Sequence, residues 1–146
     1  MGRMKPIDHT LVSQVGAPIE KVFALLSDPA RMPEWLPACR SAQTAGPMRK
    51  GARMKVRFGE TRETEFEIVD FTAPHTLGWA ERGLRKGHKT LFRLDFAGGS
   101  TALTIRDVWT PPSLGAWVRG RFFQKRDVRR GLDGTVQNLR AVVGTA

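Results

Sequence analysis

The chain has 146 residues, of which 40% are hydrophobic and 26% charged, as in an ordinary globular domain that buries a core. Lysine and arginine outnumber aspartate and glutamate by 24 to 14, a net charge of +10, which favours anionic partners. The single Cys39 excludes an internal disulfide and a cysteine metal site, and no apolar run is long enough for a membrane span or a signal core. We therefore expect one cytoplasmic domain over residues 1–146.

The first quarter of the chain predicts one strand followed by two short helices. Residues 8–16 have the composition of a strand, and Pro18 then stands at a first-turn position that helices tolerate. The apolar face of this first helix has helical spacing and consists of Ile19, Val22, Phe23 and Leu26. Asp28 is the predicted N-cap of a second short helix, which carries Trp35 and stops before Pro37.

The middle of the chain changes to the two-residue period of strands. Six further strands are predicted, over residues 39–45, 53–58 and 64–72, from Leu77 onward, and over 89–96 and 103–109. Val69 and Phe71 fall out of phase with the alternation before them, which predicts a β-bulge near Val69–Asp70. Gly98-Gly99 predicts a tight hairpin. Because the connections are short, we expect an antiparallel meander with one apolar face that must be covered.

The last quarter, Pro112 to Val143, predicts one long helix that covers this face. Ser113 is its expected N-cap, and about thirty residues at roughly 1.5 Å each would extend ~45 Å. Its apolar stripe consists of Leu114, Val118, Phe122, Val128, Leu132, Val136, Leu139 and Val143. The stripe is interrupted by Lys125, with Arg121 beside it, so these cations face water, a ligand or an acidic partner. A bent sheet that grips one long helix leaves a wedge-shaped space, filled partly by core and partly by a cavity.

This order of elements resembles the helix-grip fold of the START-like (SRPBCC) superfamily. The segment Val15–Pro29, followed by Pro33-Glu34-Trp35, is similar to the start of its polyketide cyclase/dehydrase branch, and Gly51, Gly99-Ser100-Thr101 and Asn138-Leu139 match as well. The resemblance implies an α+β fold. In that fold a curved antiparallel seven-stranded sheet wraps around a long C-terminal helix, with two short helices between strands 1 and 2.

The resemblance also implies a function class. Members of the superfamily include cyclases of polyketide chains, lipid and quinone carriers and hormone receptors, which share an apolar pocket between sheet and helix and no catalytic motif. The first hypothesis is therefore a protein that binds a small hydrophobic ligand, polyketide-, lipid- or quinone-like, without a cofactor. A homodimer is left open.

The pleat of the strands predicts the pocket wall. From the sheet, the inward residues are Phe58, Phe66, Trp79, Phe92, Leu94, Ile105 and Trp109. From the helix, the facing residues are Trp117, Val118, Phe122 and Leu132, with Lys125 as a polar contact. Any single one of these residues is better explained as core, but a broad apolar set with few polar groups is typical of small-molecule sites.

Asp107 is the main catalytic candidate. It shares a strand face with Ile105 and Trp109, so its carboxylate would point into the apolar space and need a partner there. Arg121 and Lys125 are the expected partners. The second hypothesis is a cyclase or dehydratase in which Asp107 acts as general acid and Arg121 stabilises an anion; the alternative is a carboxylate at the rim with a structural role. Glu81 is a weaker candidate of the same kind.

A basic surface module for nucleic acid or acidic lipid is the third hypothesis. Basic residues run through the predicted helix, at Arg119, Arg121, Lys125, Arg126, Arg129 and Arg130, and along one strand, at Arg53, Lys55 and Arg57. The favoured alternative is a solvated outer face whose long side chains shield the helix, and the run on the strand lies on a different surface. His9, His75 and His88 lack metal-ligand spacing, so no metal is expected. The chain has no tyrosine, which excludes a tyrosine-based oxyanion stabiliser.

Overall fold

The fold is that of a computed structural model, which describes residues 7–83, 85–110 and 125–143; for residues 125–129 it describes the helical backbone alone. The strands are β1 (Ile7–Val15), β2 (Cys39–Thr44), β3 (Arg53–Phe58), β4 (Arg62–Thr72), β5 (Thr76–Glu81), β6 (Lys89–Ala97) and β7 (Ser100–Trp109). The helices are α1 (Ile19–Leu26), a 3-10 turn (Pro29–Arg31), α2 (Met32–Trp35) and α3 (Lys125–Val143).

The seven strands form one antiparallel sheet in the order β1-β7-β6-β5-β4-β3-β2. Strands β2 to β7 form a meander, and β7 also pairs with β1, which forms one edge of the sheet. The register of β4 against β5 shifts between Ile68 and Asp70, which confirms the predicted bulge. Ala97 pairs with Ser100 across the predicted hairpin, where Gly98 takes a φ of 67° that favours glycine. The predicted α+β helix-grip architecture is confirmed.

The two short helices begin where the sequence predicts. α1 buries Ile19, Val22, Phe23 and Leu26 along one side. After it, the Asp28 carboxylate accepts a hydrogen bond from the backbone N–H of Ala30 at 3.1 Å, as a capping residue does. The chain then makes the 3-10 turn and α2, whose Trp35 is fully buried. These helices bring Trp35 and the Leu36-Pro37 pair against the sheet and α3.

Helix α3 packs an apolar stripe against β1, α1 and α2. The stripe consists of Leu132, Val136, Leu139 and Val143, all buried. Two polar contacts fix its position: Asn138 Nδ2 donates to the Trp35 carbonyl at 3.1 Å, and Arg140 donates to Ser13 Oγ at 2.8 Å and to the Gln14 carbonyl at 3.0 Å. The described helix confirms the second part of the predicted one. The predicted start at Ser113 and the first three residues of its stripe lie outside the described residues.

Within residues 7–83, 85–110 and 125–143, no helix has the length and apolarity needed to cross a membrane.

Candidate functional site

A cleft of about 410 Å³ lies between the sheet, the end of α2 and the first turns of α3, a volume within the range of small-molecule sites. The sheet side consists of Thr90, Phe92, Ile105 and Asp107. The helical side consists of Leu36, Pro37, Gly131, Leu132 and Thr135. Arg62, at the start of β4, and Arg85, in the β5–β6 connection, also belong to the described lining. The described lining therefore combines five apolar side chains with two threonines, two arginines and one aspartate.

The predicted wall residues divide into two groups. Phe92, Ile105 and Leu132 line the cleft together with Asp107. Four more lie on the inner side of the sheet outside the cleft lining: Phe66, Trp79, Leu94 and Trp109, all buried, with Leu94 fully so. Phe58 is half-buried. Trp117, Val118 and Phe122 lie outside the described residues, and Lys125 belongs to α3 without a described side chain.

A chain of aromatic rings leads from the far end of the sheet to the cleft. The ring centroids of Phe58 and Phe66 are 6.4 Å apart, those of Phe66 and Trp79 also 6.4 Å, and those of Trp79 and Phe92 5.2 Å. Trp35 of α2 closes the cluster, with its ring centroid 5.8 Å from that of Phe92. Edge-to-face contacts of this kind stabilise a rigid core. The surface that Phe92 presents to the cleft is thus backed by packed rings.

The Asp107 carboxylate is the polar centre of the cleft wall. Its residue is 8% exposed, as expected from its phase on β7. Nε2 of His88 contacts its Oδ1, at an angle that does not form a linear hydrogen bond. Thr90 Oγ1 donates to the same oxygen at 3.3 Å. Thr90 on β6 and His9 on β1 are its two cross-strand neighbours. A buried carboxylate with such partners is held in one place.

Arg85 lies beside this carboxylate on the β5–β6 connection. Its guanidinium carbon is 5.1 Å from the centroid of the Trp109 ring, a cation–π contact. Its backbone N–H donates to Oε2 of Glu81 at 2.7 Å, which fixes the loop. Burial lowers the pKa of Arg85, and the negative charges of Asp107 and Glu81 oppose that shift. Glu81 itself is 5% exposed, in the inward phase noted from the sequence, and is not part of the cleft lining.

The sequence predicts partners for Asp107 on the helix, at Arg121 and Lys125, and the described structure places its partners elsewhere. Arg121 lies outside the described residues, and no side chain is described for Lys125. Among the described residues, the partners come instead from the β5–β6 connection and β6. A signal was present: His88, Thr90 and Phe92 are two residues apart, so the inward phase of β6, extended backwards, predicts that His88 points the same way.

Two other kinds of chemistry find no support in the described part of the chain. Cys39 is buried, and burial raises the pKa of its thiol, which disfavours the nucleophilic thiolate. Among the described residues, no three histidine, cysteine or acidic side chains are grouped so as to hold a metal ion.

The basic outer face of β3 is balanced by its neighbour. Arg53, Lys55 and Arg57 stand directly opposite Glu67, Glu65 and Glu63 of β4. Nη1 of Arg53 is 3.3 Å from Oε1 of Glu65. Opposite charges at cross-strand positions attract each other and weaken the field that a polyanion would meet. This part of the surface therefore does not favour a nucleic-acid or acidic-lipid interface. In the basic helical run, Arg130 has a described side chain, and it is exposed.

Solved structures with the same architecture include proteins of several kinds. Protein NE0264 from Nitrosomonas europaea matches with a TM-score of 0.76 and 15% identity over 92% of both chains. The di-domain ARO/CYC StfQ from the steffimycin biosynthetic pathway matches with a TM-score of 0.75 and 14% identity over 94% of this chain and 50% of its own. The Aha1 dimer from Colwellia psychrerythraea matches with a TM-score of 0.65 and 16% identity over 97% of this chain and 100% of its own. At these identities the likeness establishes the fold.

The sequence itself carries a family match. None of the curated proteins matches the chain at a significant level. The family described as "Polyketide cyclase / dehydrase and lipid transport" matches residues 7–144, from the first strand to the end of α3. Because the match spans nearly the whole chain, the protein belongs to the polyketide cyclase/dehydrase and lipid transport family, in agreement with its resemblance to the START-like (SRPBCC) superfamily.

Proposed function

We propose that the protein binds a small hydrophobic molecule, polyketide-, lipid- or quinone-like, in the cleft between the sheet and α3. The observation that carries the proposal is the cleft of about 410 Å³, which has apolar side chains on both its sheet side and its helical side. Phe92 and Ile105 from the sheet face Leu132 from the helix across it. The family, whose description covers cyclases, dehydrases and lipid transport, supports a ligand of this chemistry.

The wall has the composition that such a ligand requires. Phe92 and Ile105 are 2% and 1% exposed, so their positions are fixed by packing before any ligand arrives. A preformed apolar surface gains roughly 25 cal/mol for each Å² of ligand carbon removed from water and loses little in ordering itself. The polar groups, Thr90, Asp107 and Arg85, lie among this surface and would orient a ligand's oxygen atoms.

Gly131 offers a direct test, because it lines the cleft from α3 and, apart from its chain neighbours and the backbone of its own helix, no described atom lies within 4 Å of the place where its Cβ would stand. We expect Gly131→Phe to occupy the cleft and to weaken binding of the neutral apolar dye N-phenylnaphthylamine by about tenfold or more, the loss of roughly 1.4 kcal/mol. Titration of the dye's fluorescence measures the dissociation constant.

Gly131→Ala is the matched control. It also replaces the glycine and gains helix propensity, up to about 1 kcal/mol, but it adds only a methyl group to the cleft, so its dissociation constant should equal that of the unchanged protein. Equal binding by the Phe and Ala variants would place the dye elsewhere and contradict the proposal, as would the absence of binding to the unchanged protein.

The second candidate is a cyclase- or dehydratase-type enzyme that uses Asp107. The contact between Asp107 and His88 in the cleft wall favours it, because a carboxylate and an imidazole together can hold and move one proton next to a ligand carbonyl. Arg121, its expected anion-stabilising group, lies outside the described residues.

The enzyme candidate predicts turnover of a poly-β-ketone thioester. We expect the protein to accelerate ring formation, followed by mass spectrometry of the products, and Asp107→Asn to lower the rate by roughly 10²- to 10⁴-fold while dye binding persists. Ring formation at the uncatalysed rate in the presence of the unchanged protein would leave ligand binding as the function.

A further inference from the structure

The described lining of the cleft has more positive than negative side chains. Two arginines, Arg62 and Arg85, line it, against the single carboxylate of Asp107. That carboxylate is already engaged by His88 and Thr90. Within the described ranges, no carboxylate forms an ion pair with either guanidinium. The carboxylates of Asp107 and Glu81 attract Arg85 at longer range, but its guanidinium has no direct acidic partner among the described residues.

Arg85 is the better placed of the two cations to meet a ligand. Arg62 is exposed to water, with its guanidinium carbon 5.9 Å from the centroid of the Phe58 ring. Arg85 is largely withdrawn from water, and its Nε is buried without a hydrogen-bond partner among the described residues. A buried donor without a partner costs free energy, and more so in a charged group. An anion that enters the cleft would recover that cost.

The orientation of Arg85 is also set in advance. The Trp109 ring lies 5.1 Å from its guanidinium carbon, and its loop is held by the hydrogen bond from its backbone N–H to Glu81. A planar guanidinium fixed in this way presents a fork of N–H donors in one direction. Such a fork matches two oxygens of a carboxylate, a sulfonate or a phosphate.

We propose that the ligand of this cleft is an amphipathic organic anion, whose oxyanion head pairs with Arg85 while its apolar body lies against Phe92, Ile105 and Leu132. Arg62, which lines the same cleft, adds long-range attraction. The inference rests on the proposed function and narrows it, because a neutral lipid or a neutral quinone would leave the Arg85 fork unpaired.

Two dyes with one skeleton test the inference. N-phenylnaphthylamine is neutral, and anilinonaphthalene sulfonate adds an anionic head to the same ring system. We expect the unchanged protein to bind the sulfonate about tenfold more tightly than the neutral dye. A charge-assisted hydrogen bond contributes enough free energy to change a dissociation constant by about this factor. In Arg85→Gln the preference should disappear, so that the dissociation constants of the two dyes become nearly equal.

Arg93→Gln is the control for net charge. Arg93 lies on β6 outside the cleft lining, with a side chain that is 70% exposed and paired with Asp95 at 3.2 Å, so its loss should leave the preference for the sulfonate intact. Arg85→Lys keeps the charge without the fork and should retain part of the preference. Circular dichroism and thermal melts establish that each variant is folded.

The outcomes separate the two claims. If the neutral dye binds and the sulfonate gains nothing, or if Arg85→Gln keeps the full preference, the inference about Arg85 is overturned while the proposed function stands. If Arg93→Gln removes the preference as well, net charge explains it and the inference is also overturned. If the neutral dye does not bind at all, the proposed function fails and the inference falls with it.

Discussion

At the scale of single residues, the carboxylate of Asp107 is buried in the cleft wall, where little water can solvate its charge. Asp107 is 8% exposed, and its orientation followed from the alternation of β7, because Ile105 and Trp109 on either side are apolar. The alternation of β7 does not predict the contact with His88, because His88 lies in the connection just before β6. Strand alternation predicts the direction of a side chain within a strand, and the sequence does not show how far that alternation continues into the connection.

The His88–Asp107 contact predicts a coupling that can be measured. We expect His88→Gln and Asp107→Asn each to lower the free energy of unfolding, because each removes one side of a contact between two buried polar groups. The double variant should lose less than the sum of the two, by about 1 kcal/mol or more. Urea denaturation of the four proteins gives this coupling energy. Strict additivity would show that the contact contributes nothing to stability.

At the scale of elements, α3 is held by polar contacts on two sides. Asn138 binds the Trp35 carbonyl at the end of α2, and Arg140 binds Ser13 and Gln14 of β1. The Asn138 contact holds α2, which leads directly into Leu36 and Pro37 of the cleft wall. The Arg140 contact holds β1, which contributes no residue to the described cleft lining. The amphipathic spacing of α3 could be predicted from its sequence. These side chain-to-backbone contacts could not, since they depend on how three elements meet.

This difference predicts separate effects for two variants. Asn138→Ala and Arg140→Ala should each reduce the free energy of unfolding by about 1 kcal/mol. Only Asn138→Ala should speed dissociation of the neutral dye, because it frees the α2 side of the cleft. Stopped-flow fluorescence measures the dissociation rate. Equal dissociation rates in the two variants would show that the α2–α3 contact does not control the cleft.

At the scale of the whole molecule, the fold could be read from the sequence because its signals are local. Strand alternation, the bulge near Val69 and the Gly98-Gly99 hairpin each depend on neighbours in the chain, and the meander follows from the short connections. The placement of charge could not be read in the same way. Arg53, Lys55 and Arg57 form a basic stripe in the sequence, and only the register of β3 against β4 shows the acidic stripe opposite.

The central claim is that a small apolar molecule occupies the cleft between the sheet and α3. Backbone amide shifts of the isotope-labelled protein, followed by NMR during titration with the neutral dye, test this claim most directly. We predict that the largest shift changes fall on Thr90, Ile105, Asp107, Leu132 and Thr135, which line the cleft. The amide shifts of Lys55, Glu65 and Arg93, whose side chains lie on the outer face of the sheet, should not change. Shifts confined to the outer face, or no saturable shifts, would contradict the account.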